Sequence, residues 1–159
     1  MKIGIYGGTF NPPHLGHLAA ARTALDALKL DKLILMPAAV PPHKVLPENS
    51  PAQEHRLAMV ERMADAMERP GAVEVSTLEL EREGKSYTSD TLEAIHRQYP
   101  EAELWLLMGT DMFLSLQDWR EPQEILRLVR VAAFSRTGDP EQQRFARQRA
   151  YLEETFGAQ

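Results

Sequence analysis

The chain contains no cysteine. Disulfide staples, thiol nucleophiles and cysteine-ligated metal are thereby excluded, and the usage fits a reducing compartment. It also lacks any apolar run near the roughly 18 residues that a membrane-crossing helix needs. Gly7, Gly8, Asn11 and Pro12 come too early for a secretory signal. A soluble, cytoplasmic protein without a membrane partner is the expectation. Excess positive charge is missing too: 18 Lys and Arg against 23 Asp and Glu leave a formal net charge of -5, so no broad footprint for nucleic acid is expected. What is present, 43% apolar residues in a chain of 159, suffices for one domain with a real core. No internal repeat or composition shift divides residues 1–159, which read as a single domain. A homo-oligomer is compatible with these features and is not decided by them.

Apolar periodicity alternates between strand and helix along the chain. Lys2 to Tyr6 reads as a strand, and Leu18, Ala21, Leu25 and Leu28 recur at helical spacing. Lys32 to Met36 reads as a second strand, stopped by Pro37 and followed by the long proline-rich loop AAVPPHKVLPENSP. Ser50 as N-cap, Pro51 at the first helical position and Gln53 closing a capping box predict a helix. Leu57, Val60, Met63, Ala64 and Met67 share one of its faces, and Gly71 ends it. Its charges, His55 and Arg56 among them, read as a solvated face. A third strand (Val73 to Leu80), the charged turn EREGK and a helix (Thr88 to Tyr99) follow. Then come a fourth strand, ELWLLMG, a helix from Pro122 to Leu128, a fifth strand, VRVAAFSR, and a charged helical tail from Asp139. Such alternation predicts an α/β fold with a doubly wound, mostly parallel sheet and flanking helices. In these sheets ligands bind beyond the carboxyl ends of the strands, where GGTFNPPH, PPHK and GTD fall.

Each of those segments supports more than one reading. Gly7 and Gly8 would let backbone N–H groups approach a phosphate, or simply form a tight turn. His14 and His17 are three residues apart, so a helix beginning at Pro13 would put both rings on one face near its positive end, with Gly16 leaving room for a ligand. There they would donate hydrogen bonds to phosphate oxygens and stabilise charge developing in nucleotidyl transfer. A metal pair lacking an evident third ligand, or two histidines satisfying loop carbonyls, are the competing readings. Lys44 is either a mobile charge for a polyphosphate or a solvated lysine. Asp111 either accepts hydrogen bonds from ribose hydroxyls or caps the following helix. Trp119, in the polar setting LQDWREP, reads either as a partly exposed ring able to stack on a planar heterocycle or as one packed against Pro122. Ser86, Thr88, Ser89 and Asp90 surround a helix start, where capping explains them as well as ligand contact does.

Taken jointly, GGTFNPPHLGH resembles the signature of the H-x-G-H nucleotidylyltransferase superfamily. MPAAVPPHK, KSYTSDTL, MGTDMF and DW then follow in the order of the bacterial nicotinate-nucleotide adenylyltransferase family, over residues 1 to about 137. The resemblance implies a Rossmann-like fold and the reaction of ATP with nicotinate mononucleotide, giving deamido-NAD and pyrophosphate in NAD biosynthesis. It implies direct displacement at the α-phosphorus, with Mg2+ travelling on the ATP phosphates and no metal site of the protein's own. Gly8, Thr9 and Phe10 would line the nucleotide loop, while His14 and His17, the catalytic pair, and Lys44 would hold the phosphates. Gly109 and Asp111 would contact the adenosine side. Ser86, Tyr87, Thr88 and Trp119 would form the nicotinate side, with Trp119 stacked on the pyridine ring. That family continues past its fifth strand to a serine/threonine-rich loop ending in arginine, which SRTGDPEQQR does not match in spacing. The expectation is a chain lacking the usual carboxyl-terminal segment. Two alternatives stand beside this reading: a related enzyme such as phosphopantetheine adenylyltransferase, in which threonine usually stands at the place of His14, and a nucleotide-binding module without turnover.

Overall fold

The computed structural model describes residues 1–8, 10, 13, 15–38, 52–82, 86–134 and 139–157, excepting the side chains of 110, 111 and 139–143. Strands β1 (Lys2–Gly8), β2 (Lys32–Pro37), β3 (Val73–Val75), β4 (Glu103–Gly109) and β5 (Arg130–Phe134) pair in parallel, in the order β3-β2-β1-β4-β5. Helices α1 (Leu15–Ala27), α2 (Gln53–Ala66), α3 (Thr88–Gln98), α4 (Thr110–Leu114), α5 (Pro122–Leu128) and α6 (Asp139–Phe156) connect or follow them. A 3-10 turn at Leu116–Asp118 lies between α4 and α5. Parallel neighbours cannot be joined by a hairpin, so each connection crosses the sheet and covers a face with a helix.

Both faces of the sheet are apolar because successive side chains of a strand point to opposite sides. Ile3 and Ile5 of β1, Ile34 and Met36 of β2, and Leu104, Leu106 and Met108 of β4 form one face, covered by Leu92 and Ile95 of α3, Ile125 of α5 and Leu152 of α6. Tyr6, Leu33, Leu35 and Leu107 form the other, covered by Ala21, Ala24 and Leu25 of α1 and Val60 and Met63 of α2. Gly4 is the exception in β1. A Cβ there would stand 2.5 Å from Leu30 Cδ1 and 3.2 Å from Leu33 Cδ1, so a missing side chain lets the turn after α1 settle on the central strand. Among the described residues, no helix is long and apolar enough to cross a membrane.

The doubly wound parallel sheet is the one anticipated, and four local features differ from expectation. Helix α1 begins at Leu15 rather than Pro13. Helix α2 has Ala52 as its N-cap, with no side-chain cap bond; Ser50 and Pro51, the expected cap, lie outside the described residues. The third strand stops at Val75 instead of Leu80. Ser76 N–H still bonds the Leu35 carbonyl at 2.9 Å, but the Ser76 hydroxyl then accepts from Leu78 N–H at 3.2 Å, and Glu81 N–H bonds the Thr77 carbonyl at 3.0 Å. Local bonding of Ser and Thr competes with a ladder that, at a sheet edge, has a partner on one side only. Finally, α4 and the 3-10 turn occupy a stretch with no strong periodic signal.

The core makes a direct prediction. Leu35 is fully buried between β2 and the α1/α2 layer, whereas Leu15 is 81% exposed. Urea unfolding should show Leu35→Ala losing about 2–5 kcal/mol, and Leu15→Ala changing stability by less than about 0.5 kcal/mol.

Candidate functional site

Strands β1 and β4 are neighbours whose following segments depart on opposite sides of the sheet, α1 toward the Leu33/Leu35 face and α4 toward the Leu104/Leu106 face. Their carboxyl ends therefore cannot be closed by one connection, and a crevice opens between them. A cavity of about 200 Å³ fills it, lined by Gly7 and Gly8 of β1, Gly109 of β4, Ser86, Thr88 and Thr91 around the start of α3, Trp119 and Glu79, with Ala38 beyond β2. Six residues singled out in the sequence, Gly7, Gly8, Ser86, Thr88, Gly109 and Trp119, thus meet around one cavity.

The two rim glycines are not demanded by packing inside the protein. A Cβ on Gly8 would stand 3.7 Å from the Phe10 ring, ordinary contact, and a Cβ on Gly109 would meet nothing within 4 Å. What it would take up is cavity space. Phe10 is more constrained: it is 1% exposed yet has φ of +47°, a left-handed conformation costly for a residue with a Cβ. Its ring meets Tyr6 edge-on at 5.6 Å and His17 at 5.0 Å between centroids. His17, in the first turn of α1, also meets the Tyr6 ring at 6.2 Å, which places the imidazole beside the residue that forms the cavity wall. No acidic side chain occupies that first turn, so the positive end of α1 is left uncompensated by a carboxylate of its own.

The Trp119 ring is 8% exposed, not partly open as its polar neighbours suggest. Its Nε1–H donates to Ser115 Oγ at 3.1 Å, and Leu116 and Ile125 belong to the same apolar cluster. Helix α6 braces this wall: Gln148 Nε2 donates to the Phe113 carbonyl at 2.9 Å, and the rings of Phe113 and Phe145 stack at 4.8 Å. Around α3, Ser86 is 2% exposed and its hydroxyl donates to the Glu79 carbonyl at 3.3 Å. Tyr87 is the N-cap of α3 and caps with no side-chain bond; its ring lies under the Arg120 guanidinium, 4.6 Å from the centroid, away from the cavity lining.

Thr9, His14 and Lys44 lie outside the described residues, as does the Asp111 side chain. The Asp111 backbone is the second residue of α4, whose N-cap is Gly109, so Asp111 is not the cap of that helix. The shared helical face expected for His14 and His17 lies, on its His14 side, outside the described residues.

One polar residue was misread in the sequence and another escaped notice. Arg56 is 2% exposed rather than solvated: Nη1 donates to the Ala38 carbonyl at 2.7 Å, pinning the backbone where β2 runs into the cavity wall, and burial lowers its pKa. The signal was its spacing, since Arg56, Val60, Met63 and Met67 follow one helical face. Glu79 lines the cavity with its carboxyl pushed up to about 7 by burial, against a hydrogen bond from Thr91 and the charge of Arg82. An alternating strand through Leu80 offered no reason to single it out. Among the described residues, no three His, Asp or Glu side chains cluster in a way that could hold a metal ion.

A parallel sheet with a cavity at its switch point, rimmed by glycines and a helix amino terminus, is the architecture of doubly wound α/β proteins that take nucleotides. The model of the cytidylyltransferase-like family matches residues 5–155, and the chain belongs to that family. A protein of Gemmatimonas aurantiaca named "Probable nicotinate-nucleotide adenylyltransferase" is 40% identical over 142 residues, 89% of this chain and 65% of that protein. One of the same name from Shouchella clausii is 42% identical over 137 residues, 86% of this chain and 69% of that protein. A crystal structure from Vibrio parahaemolyticus, provisionally named for the same activity, superposes with a TM-score of 0.66 at 26% identity and covers all of this chain and 84% of that one. The chain spans 63–65% of the length of the first three curated relatives it matches.

Arg56→Met should remove the guanidinium donor to the Ala38 carbonyl while keeping an unbranched apolar stem in its place. Leaving that buried carbonyl without its guanidinium should cost about 1–3 kcal/mol, measurable by urea unfolding.

Proposed function

We propose that this chain carries out adenylyl transfer from ATP to nicotinate mononucleotide, giving deamido-NAD and pyrophosphate, as a cytoplasmic step of NAD biosynthesis. The observation that carries the reading is the cavity at the β1/β4 switch point, which Gly8, Ser86, Thr88, Gly109 and Trp119, from four separate segments, line together. Relatives of the stated name at 40–42% identity support the same reading.

In this reading, a phosphate oxygen of nicotinate mononucleotide attacks the α-phosphorus of ATP, forming the new P–O bond as the bond to pyrophosphate breaks. The protein supplies alignment and charge stabilisation instead of a covalent nucleophile. His17 and the amino end of α1 face the polyphosphate, joined by His14, Thr9 and Lys44. Gly8 and Phe10 shape the loop against the nucleotide, and Gly109 and Asp111 take the adenosine side. The nicotinate ring lies on Trp119, with Ser86 and Thr88 around it and the Tyr87 ring outside, under Arg120. Mg2+ would travel on the nucleotide phosphates and neutralise part of their charge.

The test is pyrophosphate release by this chain with ATP and Mg2+, offered nicotinate mononucleotide, nicotinamide mononucleotide or phosphopantetheine in turn. Release with nicotinate mononucleotide is expected. ATP binding with no release for any acceptor would overturn the enzyme reading in favour of a nucleotide-holding module. His17→Ala should lower turnover by about 10²-fold or more with an unchanged far-ultraviolet circular dichroism spectrum. Trp119→Ala should raise the KM for nicotinate mononucleotide far more than that for ATP; equal effects would reduce Trp119 to a packing residue.

A further inference from the structure

Glu79 is the described carboxylate in the cavity wall that the adenylyl-transfer reading leaves without a task. It sits just after β3, where the chain has left the sheet, and it grips the start of α3 at two points. Its main-chain carbonyl accepts the Ser86 hydroxyl at 3.3 Å, ahead of the helix. Its carboxylate Oε2 accepts the Thr91 hydroxyl at 3.1 Å, one turn into it. Arg82 completes the cluster by donating Nη1–H to Thr91 Oγ1 at 2.7 Å, so the hydroxyl that serves Glu79 is itself polarised by a cation. Ser86 and Thr91 are each 2% exposed, and both line the cavity together with Thr88 between them.

The arrangement matters because α3 has no side-chain cap of its own. A helix start without a cap frays, and this one forms part of a binding wall. We propose that Glu79 is a positioning residue for the acceptor nucleotide: with its carboxylate on Thr91 and its carbonyl on Ser86, it clips the first turn of α3 in place as a wall of the cavity. The inference rests on the proposed acceptor, nicotinate mononucleotide, occupying the Ser86/Thr88/Trp119 side.

The clip is made most strongly by the ionised carboxylate, since a neutral carboxyl is a weaker acceptor for Thr91 and leaves the Arg82 charge unbalanced. Burial pushes that ionisation up to about 7, so the carboxylate leg of the clip is fully made above neutral pH and weakens as pH falls through it, while the main-chain leg to Ser86 stays. Arg82 is the charged group that acts on Glu79; Thr91 faces it from α3 with its hydroxyl, and Tyr6 shares the cavity from β1.

The experiment compares the full chain with its near-isosteric variant Glu79→Gln between pH 6 and 8.5. Hydrogen exchange is read at residues 86–91, and steady-state kinetics are run with each substrate varied in turn. At pH 8 the variant should exchange about 5- to 10-fold faster at residues 86–91, the loss of one charge-assisted hydrogen bond, with the sheet unchanged. Its KM for nicotinate mononucleotide should rise by a similar factor, while kcat and the KM for ATP stay within about 2-fold. The acceptor phosphate titrates near pH 6 in both assays, so the ratio of the two acceptor KM values is the diagnostic, and it should fall toward one below pH 7. Unchanged exchange at residues 86–91, equal effects on both substrates, or a ratio independent of pH would overturn the proposal. Absence of turnover with every acceptor would refute the proposed reaction instead. In that case the positioning of the wall stands or falls on the exchange result alone.

Discussion

Everything else in this molecule depends on the parallel ladder between β1 and β4, which runs from the Lys2/Glu103 pair to the Tyr6/Leu107 pair. It joins the first strand to one that follows it by three helices, so much of the chain is closed as a loop before these bonds can form. In return, it makes β1 a central strand buried on both faces, with β2 and β3 wound to one side and β5 to the other. The same ladder sets the geometry of the site. Carried two residues further, its register brings Gly8 level with Gly109, and the backbone of both strands can meet a ligand without a Cβ in the way. A slip of one residue would exchange the two apolar faces and separate that pair.

Around this opening the walls are secured by groups that do not belong to the sheet. Arg56 holds Ala38 from α2, Gln148 holds Phe113 from α6, and Glu79 and Arg82 hold the start of α3. Each is a polar or charged side chain that terminates on a backbone carbonyl or a hydroxyl, so its burial is matched by a directed bond. The cavity itself is mostly apolar, with a few polar groups converging on it, as a site for a planar ring attached to polar groups requires. Helix α1 contributes differently: its first turn carries His17 against Phe10 and Tyr6 and presents an uncompensated positive end.

Much of this was readable in advance. β4 and α5 match the residues expected of them, and β1, β2 and α3 differ by one or two positions, because each has a strong period or a Pro or Gly boundary. The motifs GGTF, SYT, MGT and DW were recognisable as a group, and each sends at least one residue to the cavity at the switch point, Gly7 and Gly8, Ser86 and Thr88, Met108 and Gly109, and Trp119, with the Tyr87 ring turned away under Arg120. What was misread involves competition between local and distant bonds. The early end of β3 follows from Ser76 and Thr77 bonding their own loop, and the burial of Arg56 from a carbonyl 18 residues earlier that needs a donor. Trp119 looked open because its neighbours in sequence are polar, whereas in space it belongs to the apolar cluster that includes Leu116 and Ile125.

The sequence by itself determined the alternation of strand and helix, the two-sided apolar pattern of the strands and the chemical inventory of the rim. Those are local properties, set by side-chain period, backbone freedom and donor type. Only the tertiary structure decided which carboxylate lines the cavity, which arginine is buried and how the start of α3 is held. These depend on pairings between residues distant in the chain, where exclusion from water and the need to satisfy each buried polar atom select partners that no spacing along the chain encodes.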